Sequence, residues 1–188
     1  MKHLITLAAL LVSSDIHSGE EMPNRRPEDV PAFVSMATVA AFEKLCLLTY
    51  SDRKKFSEWQ QENEKNRIAA PEDFQMGPTD DVYRITAPPA SLVLNAAKGN
   101  SCTIFSAGTS RDSVEKLIEQ MLRIYIQQGK GGKLKIEDNS INGRFSKYFA
   151  VLSPGDVSYI EVVYSDSIAE DGVHSSAITG ATRRRGAR

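Results

Sequence analysis

"RDSVEKLIEQMLRIY", residues 111–125, carries the strongest structural signal in the chain. Val114, Leu117, Ile118, Met121, Leu122 and Tyr125 recur at i, i+3, i+4, i+7, i+8 and i+11, a continuous apolar stripe on one helical face. Thr109 or Ser110 supplies an N-cap, Asp112–Lys116 and Glu119–Arg123 make favourable i,i+4 pairs, and Gly129 stops the run. A helix with one such stripe must cover an apolar layer. Both of its flanks read as strands.

Upstream, "DVYRIT" (81–86), "SLVLNAA" (91–97) and "CTIFSA" (102–107) are separated by Pro88-Pro89 and by Lys98-Gly99-Asn100. Short runs with turn residues between them predict an antiparallel meander. Downstream, "KLKIE" (133–137) alternates cleanly, and "RFSKYFAVL" (144–152) and "VSYIEVVYS" (157–165) flank the turn Ser153-Pro154-Gly155-Asp156 as a hairpin. Nearer the N-terminus, "FVSMATVAAFEKLCLLTY" (33–50) lacks Gly and Pro and places Val39, Phe42 and Cys46 on one helical face, with Leu45 alongside. Ser51 or Asp52 caps a second, polar helix running to about Arg67, a surface element whose anchors are Phe56, Trp59 and Ile68. The expected fold is α+β: an antiparallel sheet of about six strands packed against an amphipathic helix, with an N-terminal helical pair. The order strands–helix–strands hints at a pseudo-symmetric layer.

The chain has 188 residues, 41% hydrophobic and 25% charged, with a formal net charge of −1. That suits one domain with a real core and argues against broad electrostatic capture of nucleic acid. Met1-Lys2-His3, the apolar run Leu4–Val12 and the small-residue exit Ser13-Ser14 read as a secretory signal peptide over residues 1–18, rather than a short buried helix or strand. No Cys follows the run, which disfavours a bacterial lipid anchor, and no segment approaches the length needed to span a bilayer. Residues 19–32, with Pro23, Pro27 and Pro31, form a linker. The domain then occupies 33–166, and 167–188, rich in Gly, Ser, Ala and Thr and ending in Arg183, Arg184, Arg185 and Arg188, is a disordered basic tail.

Reactive chemistry is sparse. His3, His17 and His174 all fall outside the expected domain, which removes the usual base of serine and cysteine hydrolases and a common zinc ligand. "GKGG" (129–132) follows a helix, the wrong end for a phosphate loop, and reads as a helix exit. The acidic pairs Glu20-Glu21, Asp80-Asp81 and Glu137-Asp138 read as solvated turn residues; glycoside hydrolysis would need two facing acids. No catalytic residue, metal site or cofactor is expected. Phe56 and Trp59 are the candidate partner-binding residues, although such a pair equally staples a polar helix to the body.

Cys46 and Cys102 admit three readings. An even count in an exported chain favours one disulfide between the first helix and a central strand. Two buried free thiols come second. A reactive cysteine comes last, since only Lys98 lies near Cys102 in sequence and neither cysteine opens a helix.

"FEKLCLLTYSD" (42–52) followed by "SCTIFSAGTSRDSVEKLIEQML" (101–122) resembles small exported two-cysteine proteins of Gram-negative bacteria. The likeness spans about residues 33–130. It implies a periplasmic, disulfide-bonded protein and supplies no catalytic residues. The resulting expectation is a periplasmic, non-catalytic binding protein of the inhibitor, immunity or envelope-accessory type. Its partner would be another envelope protein, with no nucleic acid and no transmembrane anchor. The alternatives are a histidine-independent hydrolase using carboxylates, or a small-ligand carrier.

Overall fold

In the computed structural model, which describes residues 29–69, 81–88, 90–97, 101–130, 132–140, 145–153, 155, 158–168 and 174–182, the apolar stripe forms helix α3 (Arg111–Tyr125). Val114, Ile118 and Leu122 are fully buried and Met121 and Tyr125 nearly so. At about 1.5–3 kcal/mol for each large apolar side chain removed from water, this face is what holds α3 down. Ser110 is the N-cap by position but makes no side-chain cap bond; instead its backbone N–H donates to Ser35 Oγ at 2.9 Å.

The sheet has eight strands rather than six: β1 (Arg67–Ile68), β2 (Asp81–Ala87), β3 (Ala90–Ala97), β4 (Ser101–Ala107), β5 (Lys133–Asp138), β6 (Phe145–Leu152), β7 (Ser158–Ile168) and β8 (His174–Thr182). All neighbours are antiparallel, in the order β1-β2-β3-β4-β8-β7-β6-β5. Two four-strand meanders therefore meet along β4 and β8, and α3 connects them. The predicted meander β2–β4 and the hairpin β6–β7 form as read.

The expected tail is the main correction. Residues 174–182, placed by composition in a disordered 167–188, form a central strand paired on both sides, with Ile178 and Ser176 buried. The domain therefore extends to Thr182, and His174 begins β8 opposite Ile168, so the fold does contain a histidine. The low hydrophobicity of "HSSAITGAT" has a packing cause. Gly180 lies opposite both Cys102 and Val162, and the Phe42 ring sits where a Cβ at Gly180 would go. Small residues are needed here because a helix presses directly on the strand. Gly132 is constrained similarly: φ is +133°, and a Cβ would run into the Leu152 carbonyl.

Helix α1 (Val30–Ala41) starts inside the segment expected as linker, with Pro31 in its first turn, where a missing N–H costs no intrahelical bond. It continues as a π-helical stretch, Phe42–Thr49, that buries Phe42, Leu45, Cys46 and Leu47. Together these make one 20-residue helix, Val30–Thr49, with a mean hydropathy of 1.5 in its most apolar window. By length and composition it could cross a membrane, contrary to the expectation that no segment would. Part of its surface is packed on the sheet. Helix α2 (Arg53–Glu62) is capped by Asp52, whose carboxylate accepts from Lys54 N at 3.1 Å and Lys55 N at 3.4 Å. It ends earlier than predicted, at Asn63, whose side chain donates to the Trp59 carbonyl, and the chain then enters β1. Residues 1–18, expected as a signal peptide, and the four terminal arginines lie outside the described residues.

Cys46 and Cys102 form a disulfide, with Cα atoms 5.3 Å apart, both buried. It ties the π-helical stretch to β4 across 56 residues of sequence. Chain entropy assigns such a closure about 4 kcal/mol. The Cys46→Ala/Cys102→Ala variant should lose a few kcal/mol in urea unfolding, and the native protein should take no thiol label before reduction. Gly180→Ala should cost about 1–3 kcal/mol through overpacking against Phe42. Combining it with Phe42→Leu should recover part of that loss, a non-additivity that unfolding of both single and double variants would measure.

Candidate functional site

Phe56 and Trp59 lie on the inward side of α2, both partly buried. Phe56 meets Tyr50 edge-on with centroids 5.0 Å apart, stacks on Trp59 at 5.9 Å, and Trp59 meets Tyr83 edge-on at 5.0 Å. The Tyr83 hydroxyl accepts from Gln60 Nε2 at 3.1 Å, and the same amide donates to Asp81, which also pairs with Arg67 at 2.6 Å. This aromatic ladder attaches a polar helix with no fully buried residue of its own to the sheet. The stapling role expected of Phe56 and Trp59 accounts for both side chains.

A second polar group surrounds the start of α3. The Asp166 side chain on β7 is fully buried and accepts from Arg111 Nε at 2.9 Å, while the Arg111 guanidinium lies 4.3 Å from the centre of the Phe145 ring. Thr109 and Ser176 hydroxyls hydrogen-bond each other, and the Tyr164 hydroxyl lies 3.4 Å from Ser176 Oγ. Burial pushes the Tyr164 phenol up to about 12, so it stays protonated. Sequence patterns could not reveal this group, because Arg111, Phe145, Asp166 and Ser176 come from four elements.

Beside it, Asp112, Glu115, Lys116 and Glu119 of α3 face Ile136, Lys147 and Phe149 across a cleft of about 180 Å³. Small-molecule sites usually reach about 300–1,000 Å³. Lys147 pairs with Glu115, and Arg123 donates to Glu119 at 2.8 Å. Among the described residues, no group of three or more His, Cys, Asp or Glu is placed to hold a metal ion. Of the three carboxylates that line it, Glu115 and Glu119 are thus each paired with a cation.

Glu43, at the π-helical turn, hydrogen-bonds the Tyr125 hydroxyl at the end of α3. Burial raises the Glu43 carboxyl above its ordinary value, and the bond from Tyr125 offsets this in part. Burial also raises the Tyr125 phenol, with the Glu43 charge adding to it.

The surface that stands apart is the outer side of α1. Val30, Phe33, Met36 and Ala40, spaced three or four residues apart, are all exposed, with Met36 at 55%. They lie away from Val34, Ser35, Thr38 and Val39, which face the core. Leu48 on the π-helical stretch and Ile124 on α3, each 49% exposed, add to the apolar surface of the helical layer. The signal is present in "FVSMATVAA" (33–41), an uncharged stretch with apolar residues on its outer as well as its inner side.

These features define an α+β protein with helices packed on an eight-stranded antiparallel sheet. No family model matches the chain, and no curated protein or solved structure does.

Glu43 gives the helical layer a pH dependence. Its raised folded-state pKa means that ionisation costs more in the folded than in the unfolded chain. That contribution to stability is fully present below the ordinary value of 4.5 and is lost as pH rises through the raised one. Glu43→Gln, which keeps an acceptor for Tyr125, should therefore match the native protein in acid and exceed it near neutrality. Urea midpoints across a pH series would show the two curves diverging upward from the carboxylate range.

Proposed function

We propose that this is an exported, non-catalytic protein that binds another envelope protein through the outer face of α1. The observation that carries the reading is a helix apolar all round which, among the described residues, packs against the core on one side and leaves Val30, Met36 and Ala40 exposed on the other. A helix of this kind is normally buried on every side, and a large exposed apolar patch marks an interaction site. The N-terminal run Leu4–Val12 and the Cys46–Cys102 bond are compatible with export to an oxidising compartment. An inhibitor, an immunity protein or an accessory factor in envelope assembly would each use such a surface.

A protein partner fits this face better than a lipid surface. Interfacial helices pair an apolar side with a Lys/Arg-rich one. Here the only charges from Val30 to Thr49 are Glu43 and Lys44, and the opposite side of the helix is already packed in the core. The α3–β5–β6 cleft itself lends little support to a hydrolase or a ligand carrier, since Glu115 and Glu119 are paired with cations and its volume is about 180 Å³.

The test is affinity capture from envelope extracts with mass spectrometry, comparing native protein with Phe33→Glu/Met36→Glu. Both substitutions fall at exposed positions, and circular dichroism with urea unfolding shows whether the double variant remains folded. A stoichiometric envelope partner held by the native protein and lost with the double variant is the expected result. A partner held equally by both, or no partner together with turnover in a hydrolase screen, would overturn the reading.

A further inference from the structure

The two edges of the sheet differ. β1 is two residues long, too short to template another strand. β5 is six residues long, pairs with β6 in unbroken register from Lys133–Leu152 to Asp138–Lys147, and contains no bulge or proline. Lys133, Lys135, Ile136, Glu137 and Asp138 are all exposed, so none of the described residues covers this edge. Ile136 points to the helical side, opposite Phe149 and at the mouth of the cleft beneath α3, yet is 39% exposed. Alternate residues of an edge strand leave their N–H and C=O groups unpaired. A flat edge of this length is a pairing surface unless its side chains forbid it.

Its side chains do the opposite. We infer that β5 is a homodimer interface, pairing antiparallel with β5 of a second copy about a two-fold axis at Ile136. A two-fold perpendicular to the sheet keeps the helices of both copies on one side, so residues of like parity must face each other. Centring on Ile136 puts Ile136 against Ile136 of the second copy on the helical side. On the other side, Lys135 lies opposite the second copy's Glu137, and Glu137 opposite its Lys135. The same two side chains already pair within one strand, at 2.8 Å, so their charged ends can meet across the new junction without leaving their face of the sheet. Shifting the axis to Lys135 would oppose two lysines, and shifting it to Glu137 would oppose two glutamates. The axis at Lys135 would also bring Lys133 against the second copy's Glu137, but of the three registers only the one centred on Ile136 opposes no like charges. In that dimer the two α3 clefts join across the axis and the exposed Ile136 side chains cover one another. This surface is separate from the outer face of α1.

Sedimentation velocity and light scattering on the native protein, from low micromolar to sub-millimolar concentration, should show a monomer–dimer equilibrium. Lys135→Glu and Glu137→Lys each turn both cross-strand pairs repulsive and should weaken the dimer about tenfold or more. Mixing the two single variants restores opposite charge at both pairs, as does the swap Lys135→Glu/Glu137→Lys in one chain. Both should recover the dimer. A native protein that stays monomeric, a dimer indifferent to the single reversals, or reversals rescued by neither the mixture nor the swap would each overturn the inference. Circular dichroism and urea midpoints show whether the variants, all at exposed positions, remain folded.

Discussion

The fold depends on how one helix is clamped across the seam between β4 and β8. These strands close two meanders that are distant in sequence, and in register Cys102 of β4 stands opposite Gly180 of β8. The π-helical stretch reaches both strands within little more than one turn: Cys46 is bonded to Cys102, and the Phe42 ring fills the space left by the absent side chain of Gly180. Joining halves so far apart in sequence carries a loop-closure cost that local contacts do not repay. A covalent link on one side of the seam and a ring seated on the other offset it. The rest of the helical layer follows from this placement, because α3 rests against α1 through the Ser35–Ser110 bond near one end and the Glu43–Tyr125 bond near the other.

What could be read from sequence follows from this arrangement. The stripe of α3, the meander β2–β4 and the hairpin β6–β7 rest on local periodicity and turn chemistry, and they formed as expected. β8 did not announce itself, because a strand directly under a helix is selected for smallness. Ser176 and Gly180 carry little of the hydrophobicity that marks a strand. With only Ile178 as a large apolar residue, the segment matched the composition of a tail. The disulfide was legible for a different reason: two cysteines, an export-like N-terminus and inward positions for both left few alternatives.

The polar groups gathered around α3 were invisible in sequence, because their members come from different elements. Arg111 neutralises the buried Asp166, Lys147 pairs with Glu115, Arg123 with Glu119, and Arg67 with Asp81. Of these carboxylates only Asp166 is fully buried, and because removing one partner of a buried pair typically costs about 3–5 kcal/mol, the Arg111–Asp166 pair fixes where the start of α3 sits. With Arg111 also stacked on Phe145, the start of α3 is oriented against both β6 and β7. A general acid would need the reverse, a carboxyl held without a cation and facing a cleft. Glu43 has the raised pKa but spends its hydrogen bond on Tyr125, at the junction of two helices.

Two kinds of surface remain, and physics assigns them different tasks. The outer face of α1 is apolar and nearly free of charge, so in the proposed role it would provide affinity with little demand on register. A partner could meet it with any complementary apolar groove. The β5 edge works the other way: its backbone groups pair with any strand, and only the order Lys135, Ile136, Glu137 chooses among registers. A surface that selects its own sequence by alternating charge suits association with a second copy, whereas an unselective apolar helix suits a partner that supplies the complementary shape. A dimer built at β5 would leave α1 free in both copies and set two such helices on the same side of one continuous sheet. Two moderate contacts to a partner presenting two sites would then act as one strong one.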